Sequence, residues 1–218
     1  MCFKLLGCSI TSNMVVSVFL HRHQGGIDMR YAADHKQKTR AQIIASALAV
    51  FGESGYEKAT IEDVMAHAGL TRGGFYRHFR SKEKLFVEAI LTGATEKDYL
   101  PPARYRSMTA NNFEAFITGY VGDKHFNNKN SPCPLFAFPS DVSRGGPELH
   151  NAYEKVARSI AENLESYITV PDRAERSLAA LAMIVGAMVI ARSVESSKLE
   201  KTIRAACIKY AKTLGATN

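Results

Sequence analysis

The spacing of the apolar residues limits this chain more than any other feature. From residue 36 to 214 they recur every three or four positions, and no stretch alternates convincingly in the two-residue rhythm of a strand. Ile43, Ile44, Ala47, Leu48 and Phe51 share one helical face, and that segment stops at 52–55. Thr60 stands three residues before Asp63, a capping arrangement that starts a short helix over 61–68, and Gly69 ends it. Thr71 can cap a second short helix over 72–79, and Ser81 a longer one over 82–100 that Pro101 and Pro102 close. Beyond the prolines, 112–126 is weakly amphipathic and 127–134 and 143–147 read as loops. A helix over 148–167 carries the stripe Tyr153, Val156, Ile160, Leu164 and Tyr167. Pro171 opens the next helix, to 194, and a last one over 198–214 lines up Ile203, Ala206, Cys207, Tyr210 and Leu214. The expected fold class is all-α.

Composition narrows the class of protein. The 218 residues are 46% hydrophobic and 22% charged, which excludes a disordered, collagen-like or disulfide-stapled chain. Cys2, Cys8, Cys133 and Cys207 form no CxxC pair, so no metal site and no cofactor is expected, and a reducing, cytoplasmic setting follows. The longest apolar run, 178–191, is shorter than the roughly 20 residues a membrane span requires, so no membrane partner is expected. Thr11, Ser12, Asn13 and Ser17 interrupt the apolar stretch near the N-terminus, and no small-residue cleavage site follows it. Residues 1–28 therefore read as a disordered or dispensable extension, with Met29 a candidate start. The formal charge of +7 points to a polyanionic partner, but only its placement can say which.

That placement singles out 60–84, TIEDVMAHAGLTRGGFYRHFRSKEK. Two short helices joined by a glycine turn, the second basic, are the pattern of a helix-turn-helix whose second helix enters the major groove. At about 100° per residue Phe75 and Phe79 define a core face and Arg77 points the opposite way, flanked by Gly73 and Gly74. Paired glycines weaken a helix, and close approach of its backbone to a ligand explains them. Over 71–84 the cations Arg72, Arg77, Arg80, Lys82 and Lys84 face the single anion Glu83, a net +4 in 14 residues. Lys36, Lys38 and Arg40 add three more before the first helix. Phosphate contacts by such a cluster fix register, while Arg77 or Arg72 could bind a guanine edge in bidentate fashion.

The run from Lys38 to Ile90, including AxxxFGESGYEKATIEDVMAHAGLTRGGFYRHFRSKEKLF, resembles the DNA-binding domain of the TetR/AcrR family of one-component bacterial regulators. The resemblance implies a homodimer that reads a palindromic double-stranded DNA operator, with an N-terminal three-helix bundle containing the helix-turn-helix. A helical effector-binding and dimerisation domain follows. Carried over by position, Thr60, Tyr76, His78 and Lys82 match contacts to the DNA backbone, and Thr71, Arg72, Gly73 and Arg77 match the groove face. Gly74 departs from relatives with Thr or Ser there, which removes a base contact. The implied organisation is an extension over 1–28, the DNA-binding domain over 29–80, a connecting helix over 81–100 and the effector-binding and dimerisation domain over 101–218.

In that last domain the helices over 148–167 and 171–194 are candidates for the dimer interface, the second for its small residues Ala179, Ala180, Ala182, Gly186, Ala187 and Ala191. Phe113, Phe116, Tyr120, Phe136 and Phe138 are candidates to line a pocket for an unknown small-molecule effector, and Cys133, between two prolines, for an electrophile-sensing thiol. Plain core is the alternative for each. The expected function is a repressor released by a small-molecule or electrophile effector, with an activator of the same family as the alternative. Ser140, Asp141, His150 and Cys133 supply residue types for hydrolysis, but no GxSxG, HExxH or paired motif organises them, so no catalytic residue is assigned.

Overall fold

The computed structural model describes residues 21–93 and 110–215, and every regular element among them is helical. The first helix, α1, runs from His21 to Ser54, so its start lies upstream of the boundary expected at residue 28. Contacts divide the chain into two compact units, Met1–Ala41 and Gln42–Asn218, and the division falls inside α1. In the first unit Thr39 donates to the carbonyl of His35 and Lys38 pairs with Asp34 at 2.7 Å. Lys36, Lys38 and Arg40 thus lie within a helix and not ahead of one. Residues 1–20 and the predicted helix end over 94–102 lie outside the described residues.

The second unit begins with the helix-turn-helix: the remainder of α1, α2 (Ile61–His67), a 3-10 helix (Arg72–Arg77) and α3 (Lys82–Gly93). Then come α4 (Ala110–Val121), α5 (Asp123–Phe126), α6 (Pro134–Ala137), α7 (Pro139–Ser143), α8 (Pro147–Tyr167), α9 (Arg173–Ser193) and α10 (Ser197–Ala211), followed by a 3-10 turn, Lys212–Gly215. The single helix expected over 112–126 is two, broken at Gly122. The loop expected over 127–134 is present up to Cys133, and Pro134 and Pro139 each open a short helix after it that spacing did not reveal, as proline at a first helical position favours.

One core runs through this unit, from Ile43, Leu48 and Phe51 of α1 to Cys207 and Ala211 of α10. The expected separation of 29–80 from 101–218 is bridged by α3, which packs along α8. Phe86 meets Phe138 edge to face at 5.1 Å, and Lys84 grips both carboxylate oxygens of Glu148. Gly52 faces Pro132 so closely that a Cβ there would come within 2.6 Å of the ring.

The long C-terminal helices follow the apolar pattern with three corrections. Helix α9 opens at Arg173 after Asp172, in the left-handed region at φ 58°, and not at Pro171; Asp tolerates that conformation better than most residues. The helix is 21 residues, so by length and composition it could cross a membrane, although its apolar run is shorter. Its Ala180, Ile184, Met188 and Ala191 are instead buried in the protein. The inward face of α10 is Arg204, Cys207 and Ala211, while Ala206 and Tyr210 of the expected stripe are exposed.

Candidate nucleic-acid interface

The hairpin is fixed by its caps. Thr60 and Asp63 form the expected capping box: the Thr60 amide donates to Asp63 Oδ2 at 2.8 Å, and the Asp63 amide to Thr60 Oγ1 at 3.1 Å. The Thr60 hydroxyl also donates to Asp63 Oδ2 at 2.7 Å, and these hydrogen bonds hold the Asp63 carboxyl below its ordinary range. At the other end of α2, Gly69 takes φ +67°, its amide reaches the Ala66 carbonyl, and the Leu70 amide reaches Met65. This pair of bonds is a Schellman turn, which requires a left-handed residue where Gly69 stands. Gln42 of α1 donates to the Ala68 carbonyl at 2.7 Å, a cap from a neighbouring helix that spacing alone did not reveal.

The turn delivers the chain into Arg72–Arg77, a 3-10 helix in place of the α-helix expected over 72–79. Thr71 occupies its N-cap, but its hydroxyl makes no capping bond. Phe75 is fully buried and Phe79 3% exposed, their rings 5.8 Å apart, so the predicted core face holds despite the tighter winding. Thr71, Arg72, Gly73, Tyr76 and Arg77 are exposed, and Tyr76 stands edge-on to Phe75 at 5.2 Å. His78 is half-buried at the C-cap. A Cβ on Gly73 would meet nothing within 4 Å, and one on Gly74 only the Met65 methyl at 3.5 Å. Neither glycine has a positive φ, so the fold itself does not demand them.

The cations differ in how they are held. Arg72 is bound to Glu62 of α2 at 2.5 Å, a tether the sequence reading missed. Lys82, the first residue of α3, lies over the Tyr56 ring at 4.4 Å and donates to the Glu57 carbonyl at 3.3 Å. Burial, then the charge of Glu83, raises the Tyr56 pKa, so the ring beneath Lys82 stays a neutral phenol. The Lys84 amide donates to Ser81 Oγ at 3.1 Å, the expected cap, while the Lys84 ammonium belongs to Glu148. Among the described residues Arg77 and Arg80 take no ion pair, and both are exposed. The hairpin therefore offers Arg77 and Arg80 free, Arg72 on a surface tether and Lys82 poised at a helix N-terminus, where the dipole favours a phosphate.

The expected effector residues lie in the core. Phe116 stacks on Tyr120 at 6.0 Å, Tyr120 meets Phe136 at 6.3 Å, and the Tyr120 hydroxyl lies 3.3 Å from Cys133 Sγ. Phe113 packs against Gly215 at the C-terminal end, and Phe138 belongs with Phe86. The structure thus brings together Phe116, Tyr120, Cys133 and Phe136, and it keeps Phe113 and Phe138 in the same buried core. Burial pushes the Cys133 thiol up to about 11, against smaller opposing hydrogen bonds from Tyr120 and the backbone of Leu135 and Phe136. It is a protonated thiol at neutral pH, without the thiolate that electrophile sensing needs. His150 Nδ1 lies 3.1 Å from the Gly146 carbonyl, and Arg144 donates to Asp141 at 3.4 Å.

Residues 43–89 match the family model described as bacterial regulatory proteins, tetR family. Over 63 residues the chain is 41% identical to the uncharacterized HTH-type transcriptional regulator YfiR of Bacillus subtilis, covering 29% of this chain and 31% of that one. Over 51 residues it is 43% identical to the probable acrEF/envCD operon repressor of Escherichia coli, 23% of each. The matched segment is under a third of the length of these relatives. A TetR transcriptional regulator from Chloroflexus aurantiacus has the same fold, with TM-score 0.64 and 25% identity over 81% of this chain and 96% of that one. So does AibR, in complex with isovaleryl coenzyme A and operator DNA, with TM-score 0.59 and 12% identity over 79% and 97%. The hairpin described above lies inside the segment that matches this family model, and the described fold is shared with TetR transcriptional regulators.

Proposed function

We propose that this protein is a cytoplasmic repressor that binds a palindromic operator as a homodimer and releases it when a small molecule binds. The observation that carries the DNA reading is the exposed face of Thr71, Arg72, Gly73, Tyr76 and Arg77 on its buried Phe75 and Phe79 base. Arg77 is the base reader, since it is exposed and takes no ion pair among the described residues. Tyr76, His78 and Lys82 serve the phosphates. Thr60 contributes through the cap it closes, because its hydroxyl hydrogen is already engaged by Asp63. Gly73 lets the backbone come close to the groove.

The second copy joins through α8 and α9. Between them lies an open groove of about 490 Å³ lined by Ala157, Ala161, Ala174 and Leu178, with Leu178 59% and Ile190 54% exposed. Nothing lies within 4 Å of a Cβ on Gly186, which leaves room for a partner helix. A two-fold operator calls for a two-fold protein with recognition segments about 34–36 Å apart. That AibR is described with both a ligand and operator DNA supports one fold serving both, and the relative named a repressor supports repression. The buried Cys133 thiol favours a reversibly bound ligand over an electrophile.

A gel shift on the DNA upstream of the protein's own gene tests the proposal. Sequence-specific binding that weakens steeply with salt is expected, together with a mass of twice 24.0 kDa by light scattering. Leu178→Asp should give a folded monomer with lost operator affinity. A protein that shifts no DNA sequence preferentially would sink the reading.

A further inference from the structure

A second cleft, of about 420 Å³, opens where the helix-turn-helix meets the C-terminal helices. Gly52 and Glu53 of α1, His67 of α2, Lys129 and Pro132 of the loop before α6 and Arg192 of α9 line it, with Gly52 packed directly against Pro132. Its volume suits a small molecule. Its polar side chains are His67, Lys129, Asn130 and Arg192 against one carboxylate, Glu53.

Arg192 is the unusual member. Its guanidinium lies 5.3 Å from the Phe136 ring centre, and among the described residues it takes neither an ion pair nor a hydrogen bond. Glu53 shares the cleft and Glu195 a neighbouring one of about 300 Å³, yet neither pairs with it; Glu200, also there, is held by Arg204. The side chain reaches solvent at the rim, while the surrounding protein desolvates its charged head, and burial alone lowers its pKa. A guanidinium has five donors in a planar fork. Over an aromatic ring its plane is set while its edge stays free, the geometry that receives a carboxylate or phosphate in bidentate fashion. Lys129 adds a second cation that takes no ion pair among the described residues.

We infer that this cleft binds a small organic anion, a carboxylate or a phosphate, on Arg192 and Lys129, with the body of the ligand against Gly52 and Pro132. Glu53 disfavours polyanions and selects a ligand with a single anionic end. His67 is the last residue of α2, two before the Gly69 turn that aims the recognition segment. A ligand in a cleft lined by both His67 and Arg192 thus touches the two parts of the protein whose relative placement sets operator affinity. The consequence for DNA rests on the regulatory reading above; occupancy of the cleft does not.

The test is a titration of the full-length protein with inorganic phosphate and, separately, benzoate, at ionic strength held constant with sodium chloride. The His67 ring signals are followed by NMR. A saturable shift with at least one anion is expected, and which anion produces it assigns phosphate or carboxylate. Arg192→Gln should weaken it by about tenfold or more, as loss of a bidentate charge-assisted contact does, and Lys129→Gln, on an exposed loop, by less. Absence of saturation with both anions, or saturation unchanged in Arg192→Gln with an intact melting curve, overturns the site. Gel shifts on the same samples separate the two readings: saturation with unchanged operator affinity overturns only the regulatory consequence, and absence of DNA binding without any anion overturns the regulator.

Discussion

Two arginines show how differently this chain uses one side chain. Arg204, on α10, is 7% exposed and fully engaged. It bonds Asp123 at 2.6 Å, Glu200 at 2.5 Å and the Val121 carbonyl at 3.0 Å, and it lies over the Phe126 ring at 4.4 Å. Burial alone would lower its pKa, but the hydrogen bonds and charges of the two carboxylates outweigh that and raise it. Arg77 is exposed on a 3-10 turn and takes no ion pair among the described residues. An arginine whose three nitrogens are each engaged at home ties α10 to α4 and α5; one without partners is left for a ligand. Partners, not residue type, separate structure from function here.

The largest effect should come from breaking the satisfied side of that contrast. Arg204→Ala leaves Glu200 and the Val121 carbonyl without their donor and should cost roughly 2–4 kcal/mol, the lower part of the range for buried pairs because Asp123 keeps its water. The thermal midpoint followed by circular dichroism should drop by about 5–15 °C, while intrinsic contacts to DNA stay in place. An unchanged midpoint would refute the bridging role.

Cys133 gives the next effect. Its folded pKa is raised from an ordinary 9.0 to about 11, so the folded protein holds this proton more tightly than the unfolded chain. The associated stability is whole below pH 9 and is lost as pH climbs toward 11, by about 2–3 kcal/mol at about 1.4 kcal/mol per unit. Cys133→Ala should flatten that slope in urea titrations. At neutral pH, native protein should resist iodoacetamide at Cys133, and rapid native labelling would restore the electrophile reading.

What the sequence revealed and what it hid divide along the same line. Local rules were legible: the Thr60 box, the Gly69 turn, the Phe75 and Phe79 face and the α8 stripe all follow from spacing within a few residues. Long-range partners were not. Nothing in the stripe from Ile203 to Leu214 singled out Arg204, because only Asp123 and Val121, 81 and 83 residues away, explain its burial. Glu62 holding Arg72, and Arg192 over Phe136, are likewise pairs that no periodicity encodes. The 3-10 winding of Arg72–Arg77 was hidden for another reason: two glycines lower helix propensity without dictating which helix replaces it.

The open side of the contrast yields smaller effects, on DNA alone. Arg77→Ala should leave stability unchanged, lower operator affinity by about 1–3 kcal/mol and relax preference at one base pair, read by gel shift against operator variants. Gly73→Ala should also fold normally, given the open space at its Cβ, and bind operator less well; normal binding by that variant would mean that the backbone does not approach the groove.

The smallest effect tests the intermediate case. Arg72 is neither free nor satisfied, since Glu62 and its guanidinium are both about half exposed or more and such pairs contribute less than about 1 kcal/mol. Glu62→Gln should therefore cost almost no stability, release Arg72 and strengthen binding to DNA of any sequence by a few fold at low salt, an advantage that fades as salt screens the phosphates. If Glu62→Gln left DNA affinity untouched while Arg72→Ala lowered it, the tether would already yield to DNA in the parent protein. If both were silent, Arg72 would join Arg204 as an arginine whose business is internal.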